Sequence, residues 1–219
     1  MSKIKCEVSI KRMKEAICVR PATAEDAEQL LEIYTPFVIS EDSSLSNVSF
    51  ELEAPDVEEF RRRIHDISAQ FPYLVGEVQG QILGYVYCHP YRERLAYQWA
   101  VEVTIYLAPA GQGKGLGRVL YEAMENILRL QGITMLYSCI TVGNDHSIKM
   151  HEALGYRLIG TFTNSGYKNG QWLDTVWLEK QLQDCPSEPA PIKGWRELAP
   201  QAVDYVLMEA STRLQSLNL

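Results

Sequence analysis

A glycine-spaced hexapeptide, Gln112-Gly113-Lys114-Gly115-Leu116-Gly117, stands between a β-rich run, Val101 to Leu107, and a helical run from about Gly117 to Leu130. Glycines at alternate positions let a backbone approach a ligand with no Cβ in the way. The helix that follows turns its unpaired N–H groups and positive dipole end toward the loop. Strand, glycine turn and helix start together make an anion site, most often for phosphate. A softened turn that caps a helix has the same spacing, so the glycines alone leave both readings open. The spacing is neither that of the dinucleotide-binding fingerprint nor that of the P-loop, which ends in Gly-Lys-Ser/Thr. On the strand, Glu102 is a lone carboxylate among Ala100, Val101, Val103 and Ile105. It either faces a wet cavity or points to solvent from a half-exposed sheet, because an apolar surround penalises the charge.

The elements that must position these residues belong to a chain of 219 residues, 46% hydrophobic and 22% charged, enough for one globular domain with a full core and an appendage. The net charge of −7 excludes a global electrostatic case for nucleic acid or an anionic membrane. A phosphate-bearing ligand therefore needs a local positive site. Five cysteines, Cys6, Cys18, Cys88, Cys139 and Cys185, are scattered without a CxxC or Cys/His cluster. That pattern argues against zinc and for reduced thiols in a cytoplasm. The first twenty residues lack a continuous apolar core, and no run reaches the ~18 apolar residues of a membrane span. The expectation is a cytoplasmic protein with no signal peptide, no metal, no nucleic-acid partner and no membrane partner.

Along the chain, residues 1–15 read as a polar, lysine-rich arm. Ile17 to Arg20 reads as a first strand, and Thr23 caps a helix carrying Ala27, Leu30, Leu31 and Tyr34 at helical spacing. Ser40 to Ser49 reads as a serine-rich loop, and Pro55 opens a second amphipathic helix through Ile67. Tyr73–Val78 and Ile82–Cys88, joined at Gln79-Gly80, predict a β-hairpin. Beyond the glycine helix, Thr134–Thr141 predicts a buried strand, and Asn144-Asp145 caps a short helix ended by Gly155. Arg157–Thr163 and Trp172–Leu178 predict a closing strand pair. The main domain is thus expected over 16–182, a proline-containing linker over 183–200 and an amphipathic helix over 201–219. The order, β-α-α-β-β-β-α-β-α-β-β, is that of a mixed α/β layer fold.

That order, with Gln112-x-x-Gly115-x-Gly117 between the fourth strand and third helix, resembles the GNAT family of acyl-CoA-dependent N-acetyltransferases. The likeness narrows to the phosphinothricin and methionine-sulfone N-acetyltransferases through Phe71-Pro72-Tyr73-Leu74-Val75, Tyr97-x-Trp99-x-Val101-Glu102, Asn144-x-x-Ser147, His151-Glu152-Ala153-Leu154-Gly155-Tyr156 and Gly166-Tyr167-Lys168-x-Gly170-x-Trp172. It covers roughly Ala16 to Gln181. It implies a central, mostly antiparallel sheet flanked by helices, with the C-terminal helix as an extension.

The resemblance implies acetyl-CoA as cosubstrate, with the pyrophosphate held by the main chain of Gln112, Gly113, Lys114, Gly115, Leu116 and Gly117. Lys114 and Arg118 add charge, unless they are a solvated basic pair. The backbone of Ile105, Tyr106 and Leu107 is expected beside the pantetheine like an added strand. Asn144 and Ser147 are expected at the pantetheine too, although Asn144 is equally a helix N-cap. An alkyl ammonium with a pKa near ~10 must lose its proton before it can attack a thioester. Glu102 is the candidate base and His151 the second proton-transfer residue. His65, His89 and His146 read as structural or surface residues. Arg92, Arg94, Tyr97 and Thr104 are the candidate acceptor contacts, the arginines suiting a carboxylate or phosphinate. The loop at 40–47 is expected to border the acceptor pocket. The acceptor implied is the α-amine of a small amino acid or analogue, attacked directly and without a covalent enzyme intermediate. The alternatives are a protein N-terminus or polyamine acceptor, and a non-catalytic acyl-CoA-binding module. A homodimer is also implied, with the C-terminal helix packing either on its own domain or on a twin subunit.

Overall fold

The computed structural model describes residues 17–219. The expected arm and Cys6 lie outside the described residues. Seven strands form one sheet: β1 (Ile17–Pro21), β2 (Tyr73–Val78), β3 (Gln81–Pro90), β4 (Ala100–Leu107), β5 (Met135–Thr141), β6 (Arg157–Lys168) and β7 (Gln171–Gln181). Their order across the sheet is β1-β2-β3-β4-β5-β7-β6. Among the described strands only the β4–β5 pair is parallel. This is the mixed α/β architecture that the sequence pattern predicts.

Among the described residues six α-helices flank it: α1 (Ala27–Val38), α2 (Ser43–Ser46), α3 (Val57–Gln70), α4 (Leu116–Gln131), α5 (Asp145–Ala153) and α6 (Pro200–Gln215). The two faces have separate cores. On one, Leu30 of α1 and Phe60 and Ile64 of α3 bury against Tyr73, Val75 and Tyr85 of the sheet. On the other, Leu120, Met124 and Leu128 of α4 and Val203, Ala210 and Leu214 of α6 bury against Leu74, Val86, Val101 and Val103. The alternation along β4 follows from the strand period: Val101 and Val103 take the α4 side and Glu102 and Thr104 the other.

Three expectations change in detail. The stretch at 40–49 is not all loop, because Asp42 accepts from the Ser44 N–H and nucleates the one-turn α2. The strand expected to end at Thr163 runs on to Lys168 through a register shift between Phe162 and Gly166. The stripe of α6 packs on its own domain, one of the two alternatives that the sequence leaves open. The Ser211 hydroxyl accepts from the Val19 N–H of β1 at 2.9 Å, and Leu214 is fully buried.

Candidate active site

β4 and β5 pair over only three residues, Ala100 with Met135, Val101 with Leu136 and Glu102 with Tyr137, and then part. Glu102 is at the vertex of this fork. Past it, alternate residues of β4 turn their main-chain groups away from β3 and toward the space that β5 has left. The Val103 carbonyl accepts from the Ser138 hydroxyl at 3.3 Å, and the Leu107 carbonyl accepts from the Gln112 side-chain amide at 3.0 Å. By the same alternation Ile105 offers its N–H and C=O to the fork, while Tyr106 pairs into the β3 ladder opposite Tyr85. Of the three residues expected to flank an extended ligand arm, Ile105 thus has its main chain free. Leu107 is satisfied by Gln112, and Tyr106 lines the fork with its backbone committed elsewhere. The fork encloses a cavity of about 60 Å³ whose walls include Val48, Thr104, Tyr121, Asn144, Ser147 and His151.

The glycine loop closes one end of this fork. Gly113 (φ 69°) and Gly115 (φ 91°) occupy left-handed backbone, and Gly115 is the N-cap of α4. A Cβ on Gly117 would lie 2.9 Å from the Met150 sulfur and 3.3 Å from a Leu107 methyl, so this glycine permits close packing of the helix start. Residues 112–115 are exposed and Leu116 is buried as an anchor. The first turn of a 16-residue helix, whose leading N–H groups have no partner within the helix, thus follows directly on an exposed loop. Lys114 makes no ion pair among the described residues, whereas the Arg118 Nε donates to Glu122 at 2.9 Å.

His151 is 2% exposed. Its Nδ1 is 2.7 Å from the Ser147 carbonyl and its Nε2 2.7 Å from the Tyr121 hydroxyl. A carbonyl only accepts, so Nδ1 carries the proton and Tyr121 donates to Nε2. Burial lowers the imidazole pKa to about 4, only partly opposed by the Ser147 carbonyl, so the ring is neutral. Both its nitrogens are engaged, and the group it holds is Tyr121, whose buried phenol is pushed above its ordinary range. Tyr121 is missing from the sequence reading because a tyrosine on a buried helical stripe reads as core. Asn144 accepts from the Ser147 N–H at 3.3 Å, which is the N-cap role, and its side chain also lines the cavity.

Glu102 is half-buried, and burial raises its carboxyl pKa although the neighbouring His89 pulls the other way. His89 is its direct cross-strand partner on β3. The β5 partner, Tyr137, stacks at 4.3 Å on Tyr91, and the Arg92 guanidinium lies 5.0 Å over the Tyr91 ring and 5.8 Å from that of Tyr97. The structure thus brings Arg92 and Tyr97 into one aromatic cluster with Glu102's strand neighbour. Arg94 stands apart, capping a turn with no ion pair among the described residues. Thr104 lines the cavity and Glu102 does not.

The stretch 46–50 roofs the fork. The Lys168 ammonium, 4% exposed, donates to the carbonyls of Ser46 (2.6 Å) and Ser49 (2.7 Å), and Thr141 donates to the Asn47 carbonyl at 3.0 Å. Gly166 leaves room for Phe50, whose ring a Cβ there would meet at 2.4 Å. These contacts seat Val48 on the cavity. Lys168 carries no partner signal in sequence, since both its acceptors are backbone atoms some 120 residues away.

The family model described as "Acetyltransferase (GNAT) domain" matches residues 19–177. This chain belongs to the GNAT acetyltransferases. A phosphinothricin N-acetyltransferase of Streptomyces viridochromogenes is 33% identical over 175 residues, 80% of this chain and 92% of that protein. An L-methionine sulfoximine/L-methionine sulfone acetyltransferase of Salmonella typhimurium is 33% identical over 114 residues, 52% of this chain and 67% of its own length. The crystal structure of a GNAT phosphinothricin acetyltransferase from Sinorhizobium meliloti in complex with acetyl-CoA superposes with a TM-score of 0.73. That structure is 29% identical and the match covers 84% of this chain and 96% of that one. As a GNAT N-acetyltransferase related to these enzymes, the chain carries the activity class that its sequence motifs imply. The α6 extension lies beyond the matched domain. Among the described residues no helix is long and apolar enough to cross a membrane, and no cluster of three or more His, Cys, Asp or Glu could hold a metal.

Proposed function

We propose that this GNAT acetyltransferase moves an acetyl group from acetyl-CoA to the α-amine of a small amino acid or analogue of the phosphinothricin or methionine-sulfone type. The observation that carries the reading is the position of Glu102. A half-buried carboxyl with a raised pKa stands at the last paired residue before β4 and β5 part. A base needs a pKa lifted toward the working pH, and burial supplies that lift. The exposed glycine loop, the free main chain of Ile105 and the Gly117 cradle fit the pyrophosphate and pantetheine of the coenzyme. When bound, the coenzyme supplies the thioester carbonyl that the amine attacks.

In this reading Glu102 accepts the ammonium proton, directly or through one water. The freed amine forms the new C–N bond as the C–S bond breaks. Tyr121, which lines the cavity, gives its hydroxyl proton to the departing thiolate once that O–H turns away from the His151 Nε2, and His151 acts as the positioning residue that holds the phenol protonated until then. Arg92, braced by Tyr91 and Tyr97, offers its charge to the acceptor's carboxylate or phosphinate. Val48, held by Lys168, limits the acceptor's size. The free thiols of Cys18, Cys88, Cys139 and Cys185 suit a reducing cytoplasm. The exposed Phe162, Tyr167 and Trp172 of β6 and β7 offer a surface for a homodimer.

The test is acetyl-dependent thiol release from acetyl-CoA across a panel of amino acids, their sulfone and phosphinate analogues, polyamines and short peptides. The proposal expects turnover with anionic amino-acid analogues. Release only with peptides or polyamines would move the acceptor to those classes. No release with any amine would leave an acyl-CoA-binding module and refute the enzymatic reading.

A further inference from the structure

We propose that Arg213, on the C-terminal helix, is a positioning residue for the phosphate end of the coenzyme site. The inference rests on the acetyl-CoA reading above. Glu122 lies one turn along α4 from Arg118 and is shared. Its Oε1 accepts from Arg118 at 2.9 Å and its Oε2 pairs with Arg213. Arg118 is the only arginine in the first turn of α4, where an incoming phosphate meets the loop. Were Glu122 committed to Arg118 alone, the pair would be neutral. With Arg213 as a second partner, Lys114, Arg118 and Arg213 against one carboxylate leave one more positive charge in excess beside the exposed loop than Lys114 and Arg118 alone would. Such an excess acts on a phosphate anion held at the loop, with screening set by a Debye length of about 8 Å at physiological salt.

α6 is placed for this by contacts that do not involve Arg213. Ser211 bonds β1 at 2.9 Å, the Gln215 amide donates to the Ile17 carbonyl at 3.1 Å, and Leu214 is fully buried. Past the helix end, Leu217 reaches the loop itself, its methyl 3.3 Å from where a Cβ on Gly115 would lie. The extension beyond the matched GNAT domain thus touches the coenzyme loop at one point by packing and bears on it at a second by charge.

Isothermal titration with acetyl-CoA tests this on the full chain. Arg213→Ala should weaken binding about three- to tenfold, the range open to a partly exposed charge, with an unchanged melting temperature. The loss should fade at 0.5 M salt. Arg213→Lys, which keeps the charge, should hold affinity near wild type. Adding Glu122→Gln to Arg213→Ala should restore it, because the carboxylate that neutralises Arg118 is gone. A structural role for Arg213 would not respond to that second change. Wild-type affinity in Arg213→Ala, or no rescue by Glu122→Gln, overturns the inference and leaves the acetyl-CoA reading intact. Failure of the wild-type protein to bind acetyl-CoA overturns both.

Discussion

His151 makes the fold's stability depend on pH in a way that can be worked through. The native imidazole pKa is lowered to about 4 from 6.5 because the ring is buried, the Ser147 carbonyl opposing only in part. The sign follows from proton uptake: below 6.5 the unfolded chain binds a proton that the native ring refuses. Stability contributed by the neutral ring is full above the unfolded value and falls as pH drops from 6.5 toward 4. At about 1.4 kcal/mol per pH unit, moving from pH 8 to pH 5 removes about 2 kcal/mol through this one residue. Urea unfolding of wild type and of His151→Gln at pH 8, 6.5 and 5 isolates the effect, since the amide does not titrate. The wild-type unfolding free energy should fall over this range by about 2 kcal/mol more than the variant's. An NMR titration of the ring checks the cause without a substitution. Parallel pH profiles, or a native His151 that titrates near 6.5, would refute the buried neutral imidazole and the Tyr121–His151 geometry built on it.

Other expectations follow from single contacts. Tyr121→Phe removes the donor to a buried imidazole nitrogen and should cost about 1–3 kcal/mol in urea unfolding; an unchanged midpoint would mean that the hydrogen bond is not made. Gly117→Ala places a Cβ 2.9 Å from the Met150 sulfur and should lower stability by about 1–2 kcal/mol through overpacking, with weaker acetyl-CoA binding; a neutral result would mean that the helix start is loosely packed. Lys168→Met frees the carbonyls of Ser46 and Ser49, so KM for the acceptor should rise while acetyl-CoA affinity holds, and equal losses would show that the roof does not select the acceptor.

Much of the fold is legible in the sequence because its signals are local. The glycine loop leads into α4, Asn144 caps α5, and the strand period separates Glu102 from Val101 and Val103. Glu102 itself stands out as a charge in an apolar strand. The residues that escape sequence reasoning are those whose partners come from elsewhere in the chain. Tyr121 lies on a stripe indistinguishable from core until β5 leaves β4 and α5 brings His151 to it. His89 meets Glu102 only through the β3–β4 register. Lys168 depends on a bulge that carries β6 five residues past its expected end. The stripe on α6 marks a helix that needs a cover, but periodicity carries no record of which surface supplies it.

The central claim is that Glu102 takes the proton from the acceptor amine, and the kinetics of Glu102→Gln test it most directly. The substitution keeps shape and removes basicity, so kcat should fall about 10²- to 10⁴-fold while the dissociation constant for acetyl-CoA stays near wild type. The acid limb of the wild-type pH–rate profile should lie above the ordinary carboxylate range, as burial of Glu102 requires, and should vanish in the variant. A kcat within a fewfold of wild type, or a retained acid limb, would contradict the account.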